Sequence, residues 1–191
     1  AAELLRPNSP LLLNGPQAFA ANYDLNCKNA LIAWEWTPSL LQKQLDNVRH
    51  IAISNNLSNW LSLHKPFTPV VNRLSRLNDD GVELVVLTTK GSKFTNELLD
   101  AFKLQPAMVY GHESGSKSEV LLKLASKRLI RGFVEDRLLT LKEVLQTPGL
   151  SSLRCYLADW GYLKPEDKCQ LSPQIHLLET KTLSTPLARW P

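Results

Sequence analysis

Between residues 83 and 161 the chain repeats one pattern: a short apolar run, a polar or charged break, then a segment of helical period. The runs are residues 83–90 (Glu-Leu-Val-Val-Leu-Thr-Thr-Lys), 107–110 (Ala-Met-Val-Tyr), 131–136 (Arg-Gly-Phe-Val-Glu-Asp) and 153–159 (Leu-Arg-Cys-Tyr-Leu-Ala-Asp). Short β-branched and aromatic runs alternating with helical stretches predict an α/β fold, with parallel strands joined by crossover helices. Both faces of such a sheet are covered, so its strands are apolar throughout and ligands meet the chain at the strands' carboxyl ends. The polar residues at those ends are Thr88, Thr89, Lys90, Glu135, Asp136 and Asp159.

With 191 residues the chain is long enough for one well-buried domain, or for one domain plus a small accessory lobe. Its net charge of +4 is scattered, with no basic run interleaved with aromatics, and this argues against a nucleic-acid partner. Cys27, Cys155 and Cys169 form no Cys-x-x-Cys pair and leave one cysteine over, which points to neither a zinc site nor a disulfide framework and implies a reducing compartment. His50, His64, His112 and His176 show no metal-ligand spacing. No apolar run approaches the roughly 20 residues needed to cross a bilayer. Trp34, Trp36, Trp60, Trp160 and Trp190 are core candidates, and any of them left exposed would mark a contact patch.

In chain order, residues 1–30 are expected to be an irregular or partly helical lead-in, punctuated by Pro7, Pro10, Gly15 and Pro16. Residues 31–38 are ambiguous between a strand and a helix end. A helix follows over 39–50, then a short one over 56–63 with Leu57, Trp60 and Leu61 inward. Thr68 is the expected N-cap of a helix reaching Leu77, which Gly81 stops. Strands are predicted at 84–87, 107–110, 132–134, 153–158 and 175–178, and helices at 92–102, 118–126, 138–145 and 182–188. The division expected is an N-terminal segment, 1–66, and an α/β core, 67–191.

The strand-end residues form a phosphate and magnesium toolkit. Thr88, Thr89 and free N–H groups opening the next helix suit phosphate oxygens. Lys117 suits the charge of a transferring phosphoryl group. Glu135 and Asp136 offer hard oxygens to Mg²⁺, which takes one or two carboxylates plus water and phosphate. Each also has a plainer reading as a helix cap.

Thr88, Lys117 and Asp136, 29 and 19 positions apart and each at a strand end or helix start, resemble the second, third and fourth motifs of the haloacid dehalogenase-like (HAD) superfamily. The likeness is to the HAD-like proteins of cyanobacteria and plastids. It covers roughly residues 57–190 and is carried by 87–90 (Leu-Thr-Thr-Lys) with Phe94, 133–141 (Phe-Val-Glu-Asp-Arg-Leu-Leu-Thr-Leu), 157–162 (Leu-Ala-Asp-Trp-Gly-Tyr) and 175–178 (Ile-His-Leu-Leu). The resemblance implies a three-layer Rossmann-like parallel sheet of the HAD type with a reduced helical N-terminal or cap segment. By the same likeness Thr88 matches the phosphate-binding hydroxyl, Lys117 the charge-stabilising lysine, and Glu135 and Asp136 the magnesium-side acids. Residues 59–65 resemble the chain returning from a helical cap.

The departure is at the nucleophile. HAD phosphatases carry an Asp-x-Asp after the first strand, one aspartate attacking phosphorus and the other protonating the leaving group; no Asp-x-Asp occurs in this chain. Either that strand lies upstream of Ala1 and residues 1–66 are cap remnant, or residues 31–38 are a decayed first motif with Glu35 and Thr37 where the aspartates belong. The second alignment leaves too few residues for the usual cap. On both, positioning is lost, and positioning is most of phosphoryl-transfer catalysis.

The expected function is therefore non-catalytic: a HAD-like structural or interaction subunit with a vestigial phosphate and magnesium site, no required cofactor, and a protein partner. The resemblance places it in a chloroplast or cyanobacterial cytoplasm, beside a membrane-associated photosynthetic complex. The alternative is a Mg²⁺-dependent phosphatase whose nucleophile-bearing strand is missing from this chain.

Overall fold

The computed structural model describes residues 3, 5–161, 163, 165–169 and 171–191; Tyr162, the last residue of the 157–162 motif, lies outside them. The chain divides into two units, residues 1–57 and 58–191. The expected division at 66/67 fell nine positions later.

The first unit is helical. α1 (Pro10–Ala21) is capped by Ser9, whose Oγ accepts the Leu12 N–H at 3.2 Å, and it is interrupted at Gly15 (φ 79°) ahead of Pro16. α2 (Tyr23–Ala33) takes in the first part of the ambiguous 31–38 stretch, and Glu35 follows it at φ 53°. Residues 31–38 are thus a helix end and not a strand. The residues here sit at helical spacing, and Trp34 N–H still bonds the Ala30 carbonyl at 3.0 Å. Trp34 Nε1 donates to Glu3 Oε1 at 2.8 Å, and Glu3 also receives both Nε and Nη2 of Arg6.

α3 (Pro38–Ser62) merges the two predicted helices and breaks at Asn56 (φ −162°, ψ 89°), one residue before the unit boundary. Of the residues expected inward beyond the break, Trp60 is buried and Leu57 is exposed. α4 (Thr68–Leu74) starts one residue early: Phe67 is the N-cap and Thr68 is already helical, with Pro69 pre-set for the first turn. A 3₁₀ turn (Leu77–Asp80) then ends at Gly81.

From here the sequence pattern and the fold coincide closely. β1 (Val85–Leu87), α5 (Ser92–Ala101), β2 (Met108–Tyr110), α6 (Lys117–Ala125), β3 (Phe133–Glu135), α7 (Leu138–Gln146), β4 (Cys155–Ala158), β5 (Ile175–Leu178) and α8 (Thr180–Leu183) follow in order. α8 is shorter than predicted and starts earlier, with a 3₁₀ turn (Leu187–Arg189) beyond it. Every strand pairing among the described residues is parallel, as the alternation requires.

The strands nevertheless form two sheets rather than the single one expected: β1-β2, and β3-β4-β5. β4, flanked on both sides, is buried at all four positions, and its residues alternate between two clusters. Cys155 and Leu157 pack with Leu138, Leu141 and Val144 of α7 and Leu121 of α6. Tyr156 packs with Leu178 and Leu183, against Val70 of α4 and Trp190. Among the described residues β1 and β3 each have one neighbour, and Val134 of β3 is left 38 % exposed.

The C-terminal turns are tied to α4 by polar contacts. Arg73, buried in α4, donates its Nε to the Leu183 carbonyl at 3.1 Å and its Nη2 to Asp80, whose Oδ2 also accepts the Leu187 N–H at 2.8 Å.

Candidate functional site

Three strand or helix ends of the second unit supply the side chains that sequence reasoning singled out. β1 runs out into Thr88 and Thr89, α6 opens with Lys117, and β3 ends in Glu135 with Asp136 next. All five line one cavity of about 790 Å³, together with Ser116, Gly161 and Trp160. Asp159 does not line it. Glu35 and Thr37 belong to the first unit, on the helix end described above.

Lys117 is placed by a helix cap. Ser116 Oγ accepts the Glu119 N–H at 3.3 Å, while Glu119 Oε2 accepts the Ser116 N–H at 2.7 Å. This reciprocal pair makes Lys117 the first helical residue, one earlier than predicted, and the Ser-x-x-Glu pattern that encodes it is readable in the sequence. From there Lys117 Nζ donates to Glu135 Oε2. Glu135 is buried; its Oε1 accepts the Arg137 N–H at 3.3 Å, closing the turn after β3. Burial pushes the Glu135 carboxyl above its ordinary value, Lys117 pulls it back, and the adjacent Asp136 adds to the push.

Asp136 is held close to the loop after β4. A Cβ on Gly161 would lie 2.1 Å from Asp136 Cβ and 2.7 Å from its Oδ2, a separation only glycine permits. The Asp-Trp-Gly motif therefore reaches the site through Trp160 and Gly161.

The phosphate-facing side differs from expectation. Lys90 N–H donates to Thr88 Oγ1 at 3.1 Å, so the hydroxyl already accepts one bond. Ser92 N–H, at the start of α5, donates to Glu113 Oε1 at 2.9 Å, and hydrogen bonds from Ser92 hold the Glu113 carboxyl below its usual range. A carboxylate of the chain itself thus occupies an amide that was expected to be free for phosphate oxygens. Gly111 permits this approach, since a Cβ there would lie 2.3 Å from Ser92 N. Glu113, 21 positions from its partner, carried no sequence signal for this role.

Among the described residues no group of three or more His, Cys, Asp or Glu side chains gathers to hold a metal ion. Two adjacent carboxylates still meet the least that Mg²⁺ asks of a protein when phosphate and water complete its shell. Glu135 is already engaged by Lys117. No helix among the described residues is long and apolar enough to cross a membrane, and none of the five tryptophans is an exposed apolar anchor.

The chain was compared with protein-family models, curated proteins and solved structures, and none of them matches it.

Proposed function

We propose that residues 58–191 form a HAD-like phosphate-binding domain that lacks its own nucleophile, so that the chain works as a non-catalytic interaction subunit. Placement beside a photosynthetic membrane complex, in a chloroplast or a cyanobacterial cytoplasm, belongs to the same reading and rests on the motif likeness alone. The observation that carries it is convergence: Thr88, Lys117, Glu135 and Asp136, on three separate elements, line one cavity. Helix caps scattered over an unrelated α/β domain have no reason to meet. In the proposed role the Thr88 hydroxyl and Lys117 hold the phosphate oxygens, and Asp136, backed by Glu135, would hold Mg²⁺. Bound there, the ion would neutralise phosphate charge.

A second reading, a Mg²⁺-dependent phosphatase completed by a strand from elsewhere, is favoured by the open flanks of β1 and β3 beside this cavity. The two are separated by titrating the chain with inorganic phosphate, with and without MgCl₂, followed by amide NMR, alongside a phosphomonoester hydrolysis assay. Saturable shifts at Thr88, Lys117 and Asp136 without turnover support the first reading. Turnover at roughly 1 s⁻¹ or faster, within the ordinary enzyme range, supports the second. Failure of phosphate to bind at tens of millimolar removes both.

A further inference from the structure

Gly91 opens α5 without a side chain to cap it, and the cap comes instead from Glu113, 21 positions from the Ser92 amide it accepts. Glu113 belongs to the loop after β2, on a 3₁₀ turn (His112–Ser114). The loops after β1 and β2 meet at further points. Thr88 N–H donates to the Tyr110 carbonyl at 2.9 Å, and His112 N–H donates to the Lys90 carbonyl at 3.1 Å. Those two links are made by backbone alone, and Glu113 supplies the side-chain link. Gly111 lets the loops close, since a Cβ there would collide with the Ser92 nitrogen and with both carboxylate oxygens of Glu113.

Each loop carries one half of the candidate site and is fixed within itself. In the first, Lys90 N–H donates to Thr88 Oγ1 at 3.1 Å, and a hydroxyl that accepts there keeps its own proton to donate to a phosphate oxygen. Thr95 of α5 ties its Oγ1 back to the Gly91 carbonyl at 3.1 Å. In the second, Ser114 N–H bonds the Gly111 carbonyl at 3.0 Å, Gly115 turns at φ 102°, and the Ser116–Glu119 capping box sets Lys117 at the head of α6. Fixing Ser92 to Glu113 therefore fixes the Thr88 hydroxyl against the Lys117 ammonium. Neither Ser92 nor Glu113 lines the cavity, so the carboxylate does not face a phosphate held between Thr88 and Lys117.

We infer that Glu113 is a positioning residue of the candidate phosphate site, holding the loop of Thr88 against the loop of Lys117 so that both meet one anion. The inference rests on the phosphate-binding reading above and extends it to a residue outside the cavity. Phosphoryl recognition is mostly positioning, and a donor on a loosened loop must be ordered anew at each binding event. Reordering a single residue costs on the order of tenfold in affinity. A helix cap with no part in the site would contribute to stability alone. A carboxylate that competed with phosphate for the α5 amides would act with the opposite sign, and its removal would tighten binding.

The experiment measures the affinity of the full chain for inorganic phosphate, at constant ionic strength, from the amide NMR shifts of Thr88 and Lys117. Variants are checked for folding by circular dichroism. Glu113→Ala should bind phosphate about tenfold more weakly than the parent. Glu113→Gln, whose amide oxygen still accepts the Ser92 N–H, should recover most of that loss. Ser92→Pro removes the donor at the first helical position, where proline is tolerated, and should match Glu113→Ala. Combining the two changes should cost nothing further, because both break one bond. If one of the two loss variants does not fold, the other decides. Unchanged or tighter binding by Glu113→Ala, a glutamine variant no better than the alanine one, or full additivity of the two changes each overturns the assignment while the phosphate reading stands. Failure of the parent chain to bind phosphate at tens of millimolar removes both together.

Discussion

Lys117, the first residue of α6, donates its ammonium to the buried carboxylate of Glu135 at the end of β3. The pair spans 18 positions of sequence and joins the helix start to the strand end that together frame the candidate site. Burial raises the Glu135 pKa and Lys117 opposes that rise. Replacing Lys117 with Met should therefore move the Glu135 titration further upward. An acid raised in the native state favours folding at low pH, and that contribution is lost as pH climbs from the unfolded value, about 4.3, through the native one. The Lys117→Met chain should lose stability over this window more steeply than the parent. Carboxyl-carbon NMR of Glu135 and urea midpoints at stepped pH test this; an unmoved Glu135 titration would mean the ion pair has no hold on it.

Asp80 shifts the opposite way. The Leu187 N–H and the Arg73 guanidinium hold its carboxyl below the usual range. A depressed acid contributes stability above its unfolded pKa, and that contribution disappears as pH falls through the native value. The parent chain should thus weaken between about pH 4 and more acid conditions. Asp80→Asn, which starts less stable, should show a flatter acid limb. Parallel acid limbs for the two chains would count against the Arg73–Asp80–Leu187 link.

The α/β core was legible because its signals are local. Runs such as 85–87 and 155–158 are apolar at every position, and Val120, Leu121 and Leu124 repeat at helical spacing, so the elements from β1 to β5 could be placed within two or three residues, whereas α8 ends five residues before its predicted end. What stayed hidden depends on partners distant in sequence. The Glu113 carboxylate on the Ser92 amide, the Lys117–Glu135 pair and the Gly161–Asp136 approach are closures between loops, and no periodicity records them. The division into two sheets is hidden for a related reason: a strand's apolar run is the same whether one neighbour or two lie beside it. Residues 31–38 stayed ambiguous between strand and helix end because Trp and Ile suit strands and buried helices alike, and the bond from Trp34 N–H to the Ala30 carbonyl decided for the helix end.

Gly161 and Asp136 should behave as a coupled pair. A methyl group on Gly161 would enter the space of Asp136 Cβ, and forcing extra volume into a packed contact costs about 1–3 kcal/mol. Gly161→Ala should be destabilised by that order, and Gly161→Ala with Asp136→Gly should recover part of the loss, because the obstructing Cβ is gone. A double-mutant cycle on urea midpoints reads the coupling. Additive losses would show that the loop after β4 relaxes away from Asp136 without strain.

The cysteines should separate by reactivity. Cys155 sits within β4 with no accessible surface, and burial pushes its thiol up to about 11; Cys169 is exposed beyond β4. Since the thiolate is the reactive form, a rise of this size cuts reaction at pH 8 by on the order of a hundredfold before access is counted. Folded chain treated with an aromatic disulfide reagent should release the thiol equivalent of Cys169 quickly, that of half-buried Cys27 more slowly, and that of Cys155 only on unfolding. In strong denaturant all three should react together. Fast labelling of Cys155 in the folded chain, located by peptide mass mapping, would mean that β4 opens readily between its two neighbours. The three-stranded sheet would then be far less stable than its fully buried centre implies.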